Sequence, residues 1–187
     1  MKCSQITYWC HEIIKSRAPR GGTYIDATMG NGNDTLLLCE LAGDKGEVFA
    51  FDVQEQAFEK TRELLTEHGC LNKAKLILDG HENMHKYIEP LSADVICFNF
   101  GYLPGGDHSI STKADTSLAA IKRGLEILKK DGMMSLCIYS GGDTGFDEKE
   151  QILSYLKTLP ANRYTVIVNE YFNRKNNPPM PVFIFKN

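Results

Sequence analysis

Apolar positions set the first expectations along the chain. Ile6, Trp9, Cys10, Ile13 and Ile14 recur at helical spacing, which predicts an amphipathic helix over residues 4–17. Pro19-Arg20-Gly21-Gly22 ends it. Strands and helices then alternate. Short apolar runs predict strands at 23–27, 46–52, 75–78, 93–98 and 132–139. Helices are expected between them at 34–41, 55–68, 82–88 and 116–129, and one more at 148–156. Phe58, Leu64 and Leu65 mark the inner face of the second of these, and Pro90 stops the third. Two closing strands, 163–170 and 182–185, have no helix between them. The strands read as buried on both faces, so the expected fold is α/β: a Rossmann-like, seven-stranded, mostly parallel sheet with helices on both faces. The absence of a crossover helix makes the last strand antiparallel.

At 187 residues with ordinary hydrophobic content, one domain covering 1–187 is expected, with enough chain for a real core. A net charge of -3 argues against a generic basic nucleic-acid binder but leaves room for a local basic patch. No apolar run is long enough for a membrane span, and Met1 to Tyr8 is too polar for a signal peptide. Six cysteines, none in a C-x-x-C pair, read as the reduced thiols of a cytoplasmic protein.

The turn after the first strand bears the strongest chemical signal. It runs Asp26-Ala27-Thr28-Met29-Gly30-Asn31-Gly32-Asn33-Asp34-Thr35. Two glycines permit a tight turn and close approach of a ligand to a helix N-terminus. Asp52 ends the second strand, about 20 residues beyond Gly32, where a carboxylate can accept hydrogen bonds from ribose hydroxyls. Thr35 stands where a dinucleotide fingerprint has its third glycine. Asp26 and Asp34 would repel a pyrophosphate. An adenosine ligand with a cationic tail fits such an acidic loop better, and S-adenosylmethionine is one.

DATMGNGNDT, followed by FDVQ, FNFGYLPGGDHSIST and NNPPM, resembles the small class I methyltransferase family that bears the name putative rRNA methylase. Members of that family act on the 5-aminomethyl group of wobble (2-thio)uridine in tRNA. The resemblance spans nearly the whole chain. It implies a cofactor set of Asp26, Thr28, Gly30, Asn31, Gly32, Asn33, Asp34, Thr35, Asp52, Val53, Gln54, Gly80, His81 and Asn99. Thr28 stands where class I methyltransferases usually have glycine.

Two other readings compete. His81-Glu82-Asn83-Met84-His85 matches the H-E-x-x-H zinc signature. It is read here as coincidence, because Pro90 cuts the helix after about two turns and no third ligand follows. No metal site is expected. In a class I methyltransferase Gly80 and His81 would border the adenine, His81 stacking on the ring or bonding near it. A non-catalytic nucleotide-binding module is the second competitor.

The segment Asn99-Phe100-Gly101-Tyr102-Leu103-Pro104-Gly105-Gly106-Asp107-His108 occupies the place of the N-P-P-Y motif in amino-methyltransferases. Asn99 would hold the acceptor amine, Tyr102 would pack on its base, and Asp107 or His108 would remove a proton. The glycine-rich stretch 139–145 is expected to border the acceptor pocket. Candidate phosphate contacts are Lys113, Lys122, Arg123, Arg174 and Lys175. The acceptor expected is an RNA amine, in a tRNA anticodon loop, with an rRNA base or a small molecule as the alternative. A homodimer would supply additional RNA-binding surface.

Overall fold

The computed structural model describes residues 5–103, 105, 111–140 and 142–187, the side chains of 142–144 excepted. Seven strands form one sheet: β1 (Thr23–Asp26), β2 (Glu47–Asp52), β3 (Ala74–Leu78), β4 (Ala93–Phe100), β5 (Leu128–Ile138), β6 (Tyr164–Val168) and β7 (Met180–Lys186). Their spatial order is β3-β2-β1-β4-β5-β7-β6. β7 alone runs against the rest, pairing antiparallel with both β5 and β6. This is the expected sheet, and the order reverses between β1 and β4, where doubly wound sheets bind ligands.

Alternation along β4 divides the core. Ile96 and Phe98 join Ile121, Leu125 and Ile152 beneath α4 (Ala114–Ile127) and α5 (Gly142–Leu156). Val95 and Cys97 face the other way, against Cys10 and Ile14 of α1 (Ile6–Arg17) and Leu38 of α2 (Asn33–Ala42). α3 (Glu55–Glu67) adds Leu65 to that second layer. Each of these fully enclosed aliphatic side chains contributes roughly 1.5–3 kcal/mol.

Three differences from expectation bear on the site, beyond shifts of one or two residues at other element ends. α4 ends at Ile127, and Leu128 already pairs with Ala93, so β5 begins four residues earlier than its apolar run. Lys186 secures that junction by donating from Nζ to the Leu125 and Leu128 carbonyls, both at 2.7 Å, which satisfies carbonyls at a helix end. α5 starts at Gly142 rather than 148, so residues 142–145 are helix, not loop. A Cβ on Gly145 would stand 3.2 Å from the Tyr139 carbonyl, so glycine lets this helix begin tight against the end of β5. The helix expected at 82–88 is a 3-10 turn over His81–Lys86. Among the described residues no helix is long and apolar enough to cross a membrane.

Candidate active site

The carboxyl ends of β1 and β2 meet through two aspartates. Asp52 accepts from the Gly30 N–H at 3.0 Å and from the Gln54 N–H at 2.9 Å, tying the glycine turn to the end of β2. Each carboxylate oxygen keeps a second lone pair for a ribose hydroxyl. Gly32 sits at φ +80, and a Cβ there would press on Thr61 at 2.9–3.1 Å, so the turn requires glycine. Asn31 accepts from Lys60 at 3.5 Å, and Asn33 opens α2 with its side chain outward.

Asp26 is fully enclosed. It accepts from the Thr35 hydroxyl at 2.6 Å and from the Thr28 N–H at 3.2 Å. Thr35 therefore replaces a third glycine with a hydroxyl that the buried carboxylate needs. Burial pushes the Asp26 carboxyl up to about 7, with Asp34 and Asp52 adding to the rise. Asp26 can thus act on a ligand through its field rather than by touching it, and Asp34, at 15% side-chain exposure, is the better placed for contact. Two further carboxylates close to the buried Asp26 call for a positive charge nearby. The sulfonium and ammonium of S-adenosylmethionine meet that need, and a pyrophosphate would not.

Asn99 is held from two sides. Its backbone N–H donates to the Thr28 hydroxyl at 2.7 Å, and its Nδ2 donates to Asp34 at 2.8 Å. Thr28 is thereby explained: its side chain joins the β1 turn to the end of β4, which glycine could not do. His11, on α1, extends the chain by bonding Asp34 Oδ1 through Nε2 at 2.5 Å. His11 carries no local sequence signal, because its partner is 23 residues away.

On the other flank, Val53 and Leu78 are exposed apolar side chains at the ends of β2 and β3. Asp79, which the sequence did not single out, accepts from Asn83, from the Tyr87 hydroxyl and from the Gly80 N–H. Gly80 is buried. His81 is buried too, edge-on to Phe98 and Phe100 and bonded to the Ala27 backbone. Burial pushes its pKa down, and its Nε2 has no protein partner. His81 is therefore mainly a wall of the core, with one polar atom left to offer. The H-E-x-x-H match fails as a zinc site on geometry. A 3-10 turn has three residues per turn, so positions i and i+4 do not share a face. His85 is exposed while His81 is enclosed. Among the described residues no three His, Cys, Asp or Glu side chains gather as a metal would need.

The other half of the carboxyl edge is built around Glu148 of α5. It accepts from the Thr112 hydroxyl at 2.9 Å and from Ser117 at 2.6 Å, and Thr112 in turn accepts from the Gly101 N–H at 2.8 Å. Burial pushes the Glu148 carboxyl up. This clamp pins both ends of the segment after β4. Tyr102 is 46% exposed there and bridges to Ser111. Asp107 and His108 lie outside the described residues. Of the expected phosphate contacts, Arg123 pairs with Glu126 and Lys122 lies over the Tyr155 ring, so both serve the α4 surface. Arg174 sits 4.4 Å from the centre of the Tyr171 ring, beside a fully exposed Phe172. The connection between β6 and β7 brings them to the carboxyl edge, because Met180 pairs with Ile138 and Val182 with Val168.

Known proteins agree with this architecture. The family profile described as "Putative rRNA methylase" matches residues 48–185. A chloroplastic tRNA (mnm(5)s(2)U34)-methyltransferase of Arabidopsis thaliana is 37% identical over 94% of this chain and 67% of its own. A crystal structure of a "putative rRNA-methylase" from Clostridium thermocellum superposes with a TM-score of 0.95 at 42% identity, covering 98% of each chain. A Streptococcus mutans "putative methyltransferase", solved with SAH bound, gives 0.87 at 38% identity over 97% of each chain. With the acidic glycine turn, the Asp52 tie and these likenesses together, the chain belongs to the "Putative rRNA methylase" family and is an S-adenosylmethionine-dependent methyltransferase.

Proposed function

We propose that the protein methylates the nitrogen of a 5-aminomethyl group on the wobble uridine of tRNA. The observation that carries this reading is Asn99. Its amide stands at the end of β4, between the acidic cofactor turn and the acceptor edge, and its orientation is set by Asp34. Such an amide can receive an amine N–H. The Arabidopsis relative, named for the same nucleoside, supports this acceptor.

When bound, S-adenosylmethionine supplies an electrophilic methyl group. Asp52, Gly30 and Gln54 would hold its ribose end, while Asp34 and the field of Asp26 receive its positive charges. The residues around Asn99 orient the amine in line with the methyl. Tyr102 offers an aromatic surface to the uracil ring. A covalent thiolate route is disfavoured. The five described cysteines are all buried, and burial holds the Cys97 thiol well above its usual range, far from the thiolate that carbon-5 attack requires.

Phe172 and the Arg174–Tyr171 stack suit neighbouring bases of a single-stranded loop, because every base has a face that stacks. They lie on the connection between β6 and β7, strands that stand two and three positions from β4, a lateral spacing of roughly 10–15 Å. That is the span of a few loop nucleotides. The test is transfer of a labelled methyl group to tRNA carrying unmethylated 5-aminomethyl uridine, followed by nucleoside mass spectrometry. Methylaminomethyl uridine is the expected product. Label on another nucleoside, or none, would replace this acceptor with an rRNA base or a small molecule.

A further inference from the structure

A polar chain runs from α1 through Asp34 of the glycine turn to the Asn99 amide at the end of β4. His11 Nε2 meets Asp34 Oδ1 at 2.5 Å, and Asp34 Oδ2 receives Asn99 Nδ2 at 2.8 Å. Both carboxylate oxygens of Asp34 are therefore engaged, one from each side. His11 and Asp34 are mostly enclosed, at 22% and 15% side-chain exposure.

This arrangement fixes the Asn99 amide. An ionised carboxylate can only accept, so the amide must turn its NH2 toward Asp34. Its carbonyl oxygen then faces away from Asp34. The Asn99 backbone cannot shift to undo this, because its N–H is held by the Thr28 hydroxyl at 2.7 Å. Only the side-chain torsions remain, and Asp34 sets them. An amine attacking a methyl group has its lone pair directed at carbon and needs acceptors for its N–H groups. The Asn99 carbonyl oxygen is such an acceptor. The flipped amide would present two more donors to the amine instead.

We propose that His11 is a positioning residue for methyl transfer, holding Asp34 so that the Asn99 carbonyl oxygen faces the acceptor amine. The inference rests on the amine-acceptor reading above and gives α1 a role in that reaction. His11 donates from Nε2 whether the ring is neutral or cationic, so its task is the donated hydrogen bond, not its charge. Glutamine, which carries an NH2 group at similar reach, should replace it, and alanine should not.

Methyl transfer to tRNA bearing unmethylated 5-aminomethyl uridine is measured for the unaltered protein, His11→Ala and His11→Gln. Affinity for S-adenosylhomocysteine and thermal melting are measured beside it. The expected result is a kcat loss in His11→Ala of roughly tenfold to a hundredfold, the scale of one hydrogen bond to a charged group. The KM for tRNA should stay within about threefold, and cofactor affinity should fall much less than kcat, since Asp34 keeps its charge and its bond to Asn99 when His11 is gone. His11→Gln should recover most of kcat. A double-mutant cycle guards against a folding artefact: in an Asn99→Ala background, His11→Ala should cause little further loss. Unchanged kcat in His11→Ala would overturn the proposal and leave the amine reading intact, as would additive losses in the cycle. Parallel loss of cofactor affinity and melting temperature without rescue by glutamine would also overturn it, in favour of a purely structural role. No transfer by the unaltered protein would instead overturn the acceptor reading, and the positioning role with it.

Discussion

The two halves of the carboxyl edge are built differently. On the cofactor side, β1, β2 and the glycine turn are joined by backbone N–H groups donating to Asp26 and Asp52, so the cradle is part of the main-chain framework. On the acceptor side, the segment after β4 depends on side-chain bonds from Thr112 and Ser117 to a single buried carboxylate, Glu148. Beyond it, Phe172 stands fully exposed. In the proposed site a cofactor common to many enzymes would meet a main-chain frame, while the acceptor would meet a clamped loop and projecting rings. Damage to the first half should abolish binding outright. Damage to the second should alter which acceptor is used, and how well.

The largest effect should come from Asp52→Ala. Removing the carboxylate that ties the turn to β2 should weaken S-adenosylhomocysteine binding at least a hundredfold, the loss of charge-assisted bonds on both sides, as read by calorimetry. Retained binding would mean that the cradle is not centred on this residue. Gly32→Ala comes next. Its left-handed backbone and the contact with Thr61 should together cost about 2–4 kcal/mol of stability in a denaturant titration. On the acceptor side, Phe172→Ala should raise the KM for tRNA about tenfold, the worth of one stacked base, and leave cofactor binding unchanged. Glu148→Ala should cost about 1–3 kcal/mol of stability by stranding the Thr112 and Ser117 hydroxyls, with Glu148→Gln much milder.

The smallest effect concerns protons. The Asp26 carboxyl ordinarily titrates at 3.8 and is raised to about 7 in the folded protein. The native state therefore holds a proton that the unfolded chain has lost, so this group stabilises at low pH and that contribution is lost as pH rises through about 7. A bound cation reverses the bias. Cofactor binding should release a fraction of a proton near neutral pH and tighten as pH rises. Release should be greater for S-adenosylmethionine, with its sulfonium, than for S-adenosylhomocysteine. Calorimetry in buffers of different ionisation enthalpy measures it, and equal heats in every buffer would contradict it.

The same contrast governs how much was legible in the sequence. Gly30, Gly32 and Asp52 could be recognised because their signals are local: a turn needs glycine, and an acid at a strand end sits at a fixed distance from it. The sheet was legible for the same reason, since each strand announces itself within a few residues. The start of α5 was hidden by Gly141 and Gly142, which read as a turn although α5 begins at Gly142. His11 and Glu148 were missed because their partners are distant in the chain, 23 and 31 to 36 residues away, and each reads as the polar face of a helix. Thr28 read as a departure from the glycine usual in this fold. Its reason, the bond to the Asn99 backbone, appears only once β1 and β4 lie side by side.

The antiparallel sense of β7 has an evolutionary consequence. A parallel last strand would need a crossover that returns the chain to the far edge of the sheet. Here the connection over residues 169–179 leaves and re-enters at the carboxyl edge of the sheet, where the proposed acceptor would lie. It can be lengthened or replaced while the strands that carry the glycine turn keep their pairing. On the proposed reading, new acceptors would be acquired by substituting one hairpin, while the chemistry of methyl donation stays in place.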